Sequence, residues 1–197
     1  MGVEVGKPLS EALLGSRVTT VQGEVHALSE LVPQGAPALL LFVRQFACAG
    51  CGQRVAELLL NERVLRMAGV SIVVVGCGSL EHAQEFSRAL ALDTHELCLA
   101  TDPTLVSHQA AGLVRSYWGV LGPIGTFHLL RAMERGHRNG WGHGDFYQLG
   151  GSFLLDDRGV VLARHVERHL GSTLPLGDLV ERALALFGRR NPELSLP

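Results

Sequence analysis

Ala38-Leu39-Leu40-Leu41-Phe42-Val43-Arg44-Gln45-Phe46-Ala47-Cys48-Ala49-Gly50-Cys51 is the stretch that decides the fold. From Ala38 to Arg44 the residues are apolar without alternation until the closing cation, as expected of a strand buried on both faces. The chain then reads as a helix from Cys51 to Ala68. Val55, Leu58 and Leu59 share one face of it, while Arg54, Glu57 and Asn61 lie off that face. Gly69 is the expected stop. Val70 to Val75 is a second buried run, closed by Gly76-Cys77-Gly78. An apolar strand, a crossover helix and another apolar strand imply parallel neighbours. Two cysteines therefore fall at the junction between a central strand and its helix.

Outward from this unit the signals continue to alternate. Ser79 is the expected N-cap of a helix running to about Leu92. Leu97 to Ala100 reads as a short strand. Asp102-Pro103 reads as the opening of a further helix, with Asp as N-cap and Pro at its first position. Gly119 to Gly125 breaks the pattern, a helix is expected from about Thr126 to Arg135, and a Gly-rich stretch runs from Gly136 to Gly144. Upstream, Arg17 to Val21 and Glu24 to Ala27 flank Gln22-Gly23 as a hairpin. Downstream, Ser152 to Asp156 and Val160 to His165 flank Asp157-Arg158-Gly159 as another. Leu176 to Phe187 is a closing amphipathic helix. The expected fold is α/β: a thioredoxin-like mixed sheet flanked by helices, with an N-terminal β-hairpin and a helical insert at about 113–147. A single domain is expected over 1–197, its core at about 18–187 and its two tails frayed.

A chain of 197 residues fits one domain. A domain of this size buries roughly 70% of its unfolded surface, so it needs neither disulfide nor metal to fold. Hydrophobic residues at 47% exclude a disordered or collagen-like chain. Charged residues at 18% and a net charge of −2 leave no basic excess for phosphates, which argues against a nucleic-acid partner. The low charge density leaves apolar surface that favours association, a homodimer being the simplest form. The first residues carry two Glu and no long apolar run, unlike a signal peptide. The longest apolar run, Ala36 to Val43, has 8 residues, against about 20 for a membrane span. A soluble, cytoplasmic protein with no membrane partner is expected.

Cys48-x2-Cys51 at a strand-to-helix junction reads as a redox motif. Two sulfurs three residues apart in a first helical turn can close a disulfide. The unpaired N–H groups and the positive end of the helix dipole favour a thiolate there, and the thiolate is the nucleophile. Arg44 and Arg54 flank the pair and either add positive potential or face solvent. Two other readings stay open: a pair of ordinary buried cysteines, and a Cys3His zinc set of Cys48, Cys51, Cys77 and His82. Cys77 ends a strand beside the pair, as a third thiol or as packing. Cys98 falls within a strand and reads as packing. His165-x3-His169 matches no zincin pattern and reads as a strand end. The Gly136–Gly144 stretch carries Trp141 and His143 and is either a lid over a substrate pocket or a solvated loop. Trp141, His143 and Gln148 are the candidate substrate contacts. Gly119-x2-Gly122-Pro123-x-Gly125 lacks the spacing of a nucleotide loop, and no cofactor is expected.

Phe42-x-Arg44-x-Phe46-x-Cys48-x-x-Cys51 resembles the signature of the peroxiredoxin-like branch of the alkyl hydroperoxide reductase and thiol-specific antioxidant superfamily. The likeness continues in Thr101-Asp102-Pro103, in Gly144-Asp145, and in Gln148-x-Gly150-Gly151-x-Phe153 through Asp156. It implies a thioredoxin fold, cysteine redox chemistry, a peroxide, endoperoxide or disulfide substrate, and an external thiol reductant such as a thioredoxin. Two positions depart from the pattern of a true peroxiredoxin. Its Thr or Ser three residues before the attacking Cys is Cys48 when measured from Cys51, and Gln45 when measured from Cys48. Its Arg before the late Phe-x-x-Asp strand is replaced by Gly150-Gly151. Without that Arg, a sulfur at position 51 loses a charge partner and sits in deeper apolar surroundings, which raise its pKa. Cys48 keeps the N–H groups of the helix entrance. The expectation is therefore a thiol oxidoreductase in which Cys48 attacks, Cys51 resolves and Arg44 assists, with no metal. The alternative is a metal-binding or protein-interaction module that keeps the fold without turnover.

Overall fold

A computed structural model describes residues 2–123, 126–127, 144–169, 172 and 176–187. The strands are β1 (Arg17–Thr20), β2 (Val25–Ala27), β3 (Ala38–Phe42), β4 (Ser71–Gly76), β5 (Cys98–Thr101), β6 (Gly151–Leu155) and β7 (Val161–Val166). The helices are α1 (Glu11–Leu14), α2 (Leu28–Leu31), α3 (Ala49–Met67), α4 (Leu80–Ala89), α5 (Val106–Ala110), α6 (Tyr117–Leu121) and α7 (Leu176–Phe187). One sheet runs in the order β2-β1-β5-β4-β3-β6-β7. β3, β4 and β5 are mutually parallel. The hairpin β1–β2 pairs antiparallel on β5, and the hairpin β6–β7 pairs antiparallel on β3. This is the thioredoxin-like mixed sheet expected from the order of elements.

The unbroken apolar run of β3 follows from burial on both faces. Leu39 and Leu41 join Val55, Leu58 and Leu65 of α3, Ala83 and Phe86 of α4, and Leu179, Val180, Ala183 and Phe187 of α7. Leu40 and Phe42 join Leu13, Leu28, Phe153 and Leu155 on the other side. Each fully buried Leu or Phe contributes about 1.5–3 kcal/mol. Leu59, expected on the buried face of α3, is only half-buried, and Glu62 is buried instead beside His95. Ser79 caps α4 as expected, with the His82 side chain closing a reciprocal capping box. Gly69 takes a φ of +77° just past α3, a left-handed stop that suits glycine.

Four expectations give way to the structure. The Asp102-Pro103 helix start is displaced: α5 begins at Val106, after Leu105 in a left-handed conformation (φ 62°). The Asp102 carboxylate is spent holding this longer entry, accepting from Thr104 N–H and hydroxyl and from Ser107 N–H and hydroxyl. Burial works against its charge, but those bonds keep its pKa below the usual range. Gly119 does not break the chain. Ser116 Oγ accepts from Gly119 N–H at 2.9 Å and starts α6. A side chain at Gly119 would meet the Arg168 carbonyl at 2.8 Å, so its glycine serves close packing. The N-terminal segment, expected to fray, is tied to β7 by Gly6 N–H to Val161 O at 2.8 Å and Val161 N–H to Lys7 O at 3.0 Å. Val3, Leu9 and Leu13 help cover the sheet face that lacks a long helix. Finally, α3 starts two residues early, at Ala49, which makes Cys48 its N-cap. Of the insert expected at 113–147, α6 is described, while residues 128–143 lie outside the described residues. Among the described residues no helix is long and apolar enough to cross a membrane.

The topology gathers chemistry on one rim. β3, β4 and β5 all end at the edge where β6 begins and β7 ends. Arg44 to Cys48, Cys77, Asp102, Gly150 and Glu167 therefore lie along that edge. The carboxyl ends of parallel strands are where open sheets of this kind place their ligands.

Candidate active site

Leaving β3, the chain turns through Arg44 and reaches Cys48 in extended conformation (φ −80°, ψ 117°). Cys51 N–H and Gly52 N–H both reach the Cys48 carbonyl, at 2.9 and 3.1 Å, so the first turn of α3 closes directly on Cys48. Its sulfur makes no capping bond and stands at the positive end of a helix of 19 residues. Neither cysteine is in a disulfide, and both are covered: Cys48 is 6% exposed and Cys51 3%. Phe46, Val55 and Phe86 belong to the same apolar cluster. The Cys48 sulfur is thus hardly more open than that of Cys51.

Arg44, which sequence alone left between positive potential and solvent, is only 3% exposed. Its Nε donates to the Gln148 carbonyl at 3.0 Å and its Nη2 to the Phe146 carbonyl at 2.6 Å. Nη1 is left pointing at Cys48 Sγ, 3.7 Å away. Two carbonyl anchors thus aim one guanidinium corner at one sulfur. The Phe146 ring lies 5.8 Å from the guanidinium carbon.

Cys51 is the sulfur that keeps its proton. Its hydrogen bond with Cys48, its burial and the Cys48 charge push its pKa well up, against a smaller opposing pull from Arg44. Cys77 is buried at the end of β4. Its thiol donates to the Arg44 carbonyl at 2.6 Å and accepts from Asp145 N–H at 3.3 Å. Burial pushes it up to about 11. Cys98, half-buried on β5, is also pushed up by burial.

Gln148 is 1% exposed, and its side-chain amide donates to the carbonyls of Leu149 at 2.8 Å and Val114 at 3.4 Å. What it presents toward the pair is its main-chain carbonyl, through Arg44. Trp141 and His143 lie outside the described residues. His82 faces Ser79 in its capping box. Among the described residues no three His, Cys, Asp or Glu side chains are grouped as metal ligands, so the Cys3His set is not assembled.

Sequence reasoning missed Glu167, a carboxylate only 2% exposed. It pairs with Arg54 and accepts from Gly150 N–H at 2.9 Å. Nothing local marks it, because its partners lie far away in the chain. The replacement of a late-strand Arg by Gly150 was the one pointer. A side chain at Gly150 would meet the Phe42 carbonyl at 2.5 Å and the Glu167 carboxyl at 3.4 Å, so the place is already filled.

Comparison with known proteins bears on the fold that carries this site. A family model described as AhpC/TSA antioxidant enzyme matches residues 59–169, downstream of the cysteine pair. The thioredoxin-like protein AAED1, chloroplastic, of Arabidopsis thaliana is 26% identical over 140 residues, 71% of this chain and 55% of the relative. This chain thus spans little more than half the length of that relative. Peroxiredoxin-like 2C of Mus musculus is 23% identical over 201 residues, 90% of this chain and 81% of the relative. Among solved structures, a PrxQ mutant of Xylella fastidiosa superposes with a TM-score of 0.67 at 12% identity, covering 94% of this chain and 98% of that one. The bacterioferritin comigratory protein of Xanthomonas campestris superposes at 0.64 with 14% identity, covering 95% and 99%. These likenesses show the thioredoxin-like fold.

Proposed function

The chain belongs to the AhpC/TSA antioxidant enzyme family, and from that membership we propose that it is a thiol-dependent reductase of a peroxide, endoperoxide or disulfide. Cys48 and Cys51 cycle between dithiol and disulfide. The observation that carries this reading is the asymmetry of the pair. The carbonyls of Gln148 and Phe146 anchor Arg44 so that its Nη1 addresses Cys48, while the hydrogen bond with Cys48 and burial raise the pKa of the Cys51 thiol. The Cys48 thiolate attacks the O–O bond of a hydroperoxide. Sulfur takes one oxygen and becomes a sulfenic acid, and the other oxygen leaves as an alcohol once protonated. Cys51 then displaces that oxygen as water and closes the disulfide. An external dithiol, such as a thioredoxin, reduces the bridge and is itself oxidised. With a disulfide substrate the same attack gives a mixed disulfide that Cys51 resolves.

Cys77 stands outside this cycle. Its proton is already committed to the Arg44 carbonyl, and its raised pKa leaves little thiolate at neutral pH. One equivalent of hydrogen peroxide is expected to give a Cys48–Cys51 bridge and to leave Cys77 and Cys98 as thiols. Peptide mapping after alkylation reads this directly. A Cys51–Cys77 bridge as the main product, or an unoxidised pair, would overturn the assignment.

A further inference from the structure

Two arginines, Arg44 and Arg54, flank the pair, and the cycle proposed above gives a role only to Arg44. Arg54 lies three residues after Cys51 on α3, a spacing that stacks the two side chains on one helix face about 5–6 Å apart at Cβ. Its side chain is 14% exposed and pairs with Glu167, and its Nη2 donates to the Ser172 carbonyl at 3.3 Å. Glu167 is itself fixed by Gly150 N–H, and its own N–H donates to the Gly150 carbonyl at 3.0 Å. We propose that Arg54 and Glu167 form a second positioning device of the thiol site: Glu167, clamped to Gly150, holds the Arg54 cation beside Cys51, where it stabilises the thiolate of the pair. This rests on the reading of Cys48 and Cys51 as the reactive pair.

Two observations support it. Arg54 follows Cys51 by one turn of the helix that Cys48 caps, with its guanidinium fixed by Glu167 and the Ser172 carbonyl, and the charges of both sulfurs favour its cation. Gly150, on the rim just before β6, has no room for a side chain that could bring a second cation there. The charged and titratable groups around Arg54 are Cys51 on its own helix and Cys48 at its cap, His165 of β7 and Glu167 just past it, and Arg44 across the pair. Burial and then Arg54 keep His165 below its usual pKa, so it adds no positive charge near neutrality.

The test separates a cation that acts on sulfur from one that only neutralises a buried carboxylate. The alkylation rate of the pair by iodoacetamide is measured against pH, with peptide mapping and a melting curve for each variant. Arg54→Met is expected to move the profile to higher pH and to slow the reaction at pH 7 by about 3- to 10-fold. That variant leaves Glu167 buried and unpaired, so the deciding variant is Arg54→Met with Glu167→Gln, which removes both charges. The proposal predicts a folded double variant whose profile stays shifted, and an Arg54→Lys variant that recovers most of the rate. A double variant with the native profile would overturn the proposal alone. A native pair that does not react would overturn the reading of the site and the proposal with it.

Discussion

Cys48→Ser is expected to abolish reduction of peroxide or disulfide by this protein, a loss of at least about 10³-fold. The hydroxyl that replaces the thiol is not ionised near neutrality, so Arg44 Nη1 would face a group with no nucleophilic form. Cys51 is not expected to take over, because the anchored corner of Arg44 addresses the sulfur at position 48 and burial still disfavours a thiolate at position 51. Cys51→Ser should behave differently. Its first turnover proceeds, and a sulfenic acid or a mixed disulfide accumulates on Cys48 because no resolving thiol remains. Rapid mixing with one equivalent of peroxide, followed by trapping with a sulfenic-acid reagent and mass analysis, separates the two cases. A Cys48→Ser variant that still consumes peroxide at the native first-turnover rate would reverse the roles. It would also restore the geometry in which the second cysteine of the motif attacks.

Arg44→Met has the next largest effect. It removes the cation aimed at Cys48, so the single-turnover profile should move to higher pH and the rate at pH 7 should fall by about 10²-fold, equivalent to about 2.7 kcal/mol. The sign follows from the charge: without the guanidinium the anionic sulfur is less favoured, and more alkaline solution is needed to form it. The substitution also strips the Gln148 and Phe146 carbonyls of their donor. Leaving buried acceptors unpaired costs about 1–3 kcal/mol each, so the melting temperature should fall as well. Arg44→Lys should recover only part of either loss, because one ammonium cannot meet two carbonyls and a sulfur in the fork geometry that a guanidinium provides. A full native rate in Arg44→Met would remove Arg44 from the mechanism.

How much of this was legible in the chain depends on the range of the interactions concerned. β3, α3 and β4 could be read because burial and periodicity are written locally. Ala38 to Phe42 is apolar on both faces, and Val55 and Leu58 repeat at helical spacing. The cysteine junction followed from those elements. The exact start of α5 could not be read, because Asp102 has two uses: a cap at the next residue, or a carboxylate reaching as far as Ser107. Only packing decides between them, and here Ser107 and Thr104 satisfy both carboxylate oxygens. Gly119 misled for a related reason. Its glycine serves the close approach of Arg168, a contact invisible in the neighbouring residues. The electrostatics of the site were the least legible. Arg44 meets the carbonyls of Phe146 and Gln148, and Arg54 meets Glu167, across more than 100 residues in each case. Gln148 was singled out for its side chain, whereas its carbonyl is what addresses the site.

The central claim is that the Cys48–Cys51 pair turns over. The most direct measurement follows hydrogen peroxide consumption in the presence of excess dithiothreitol, comparing the native chain with the Cys48→Ser, Cys51→Ser double variant. The account predicts that the native protein consumes peroxide catalytically, one dithiol oxidised per peroxide reduced, and that the double variant falls to the rate of the reductant alone. Equal rates for the two proteins, with Cys48 and Cys51 of the native chain still reduced after exposure, would contradict it.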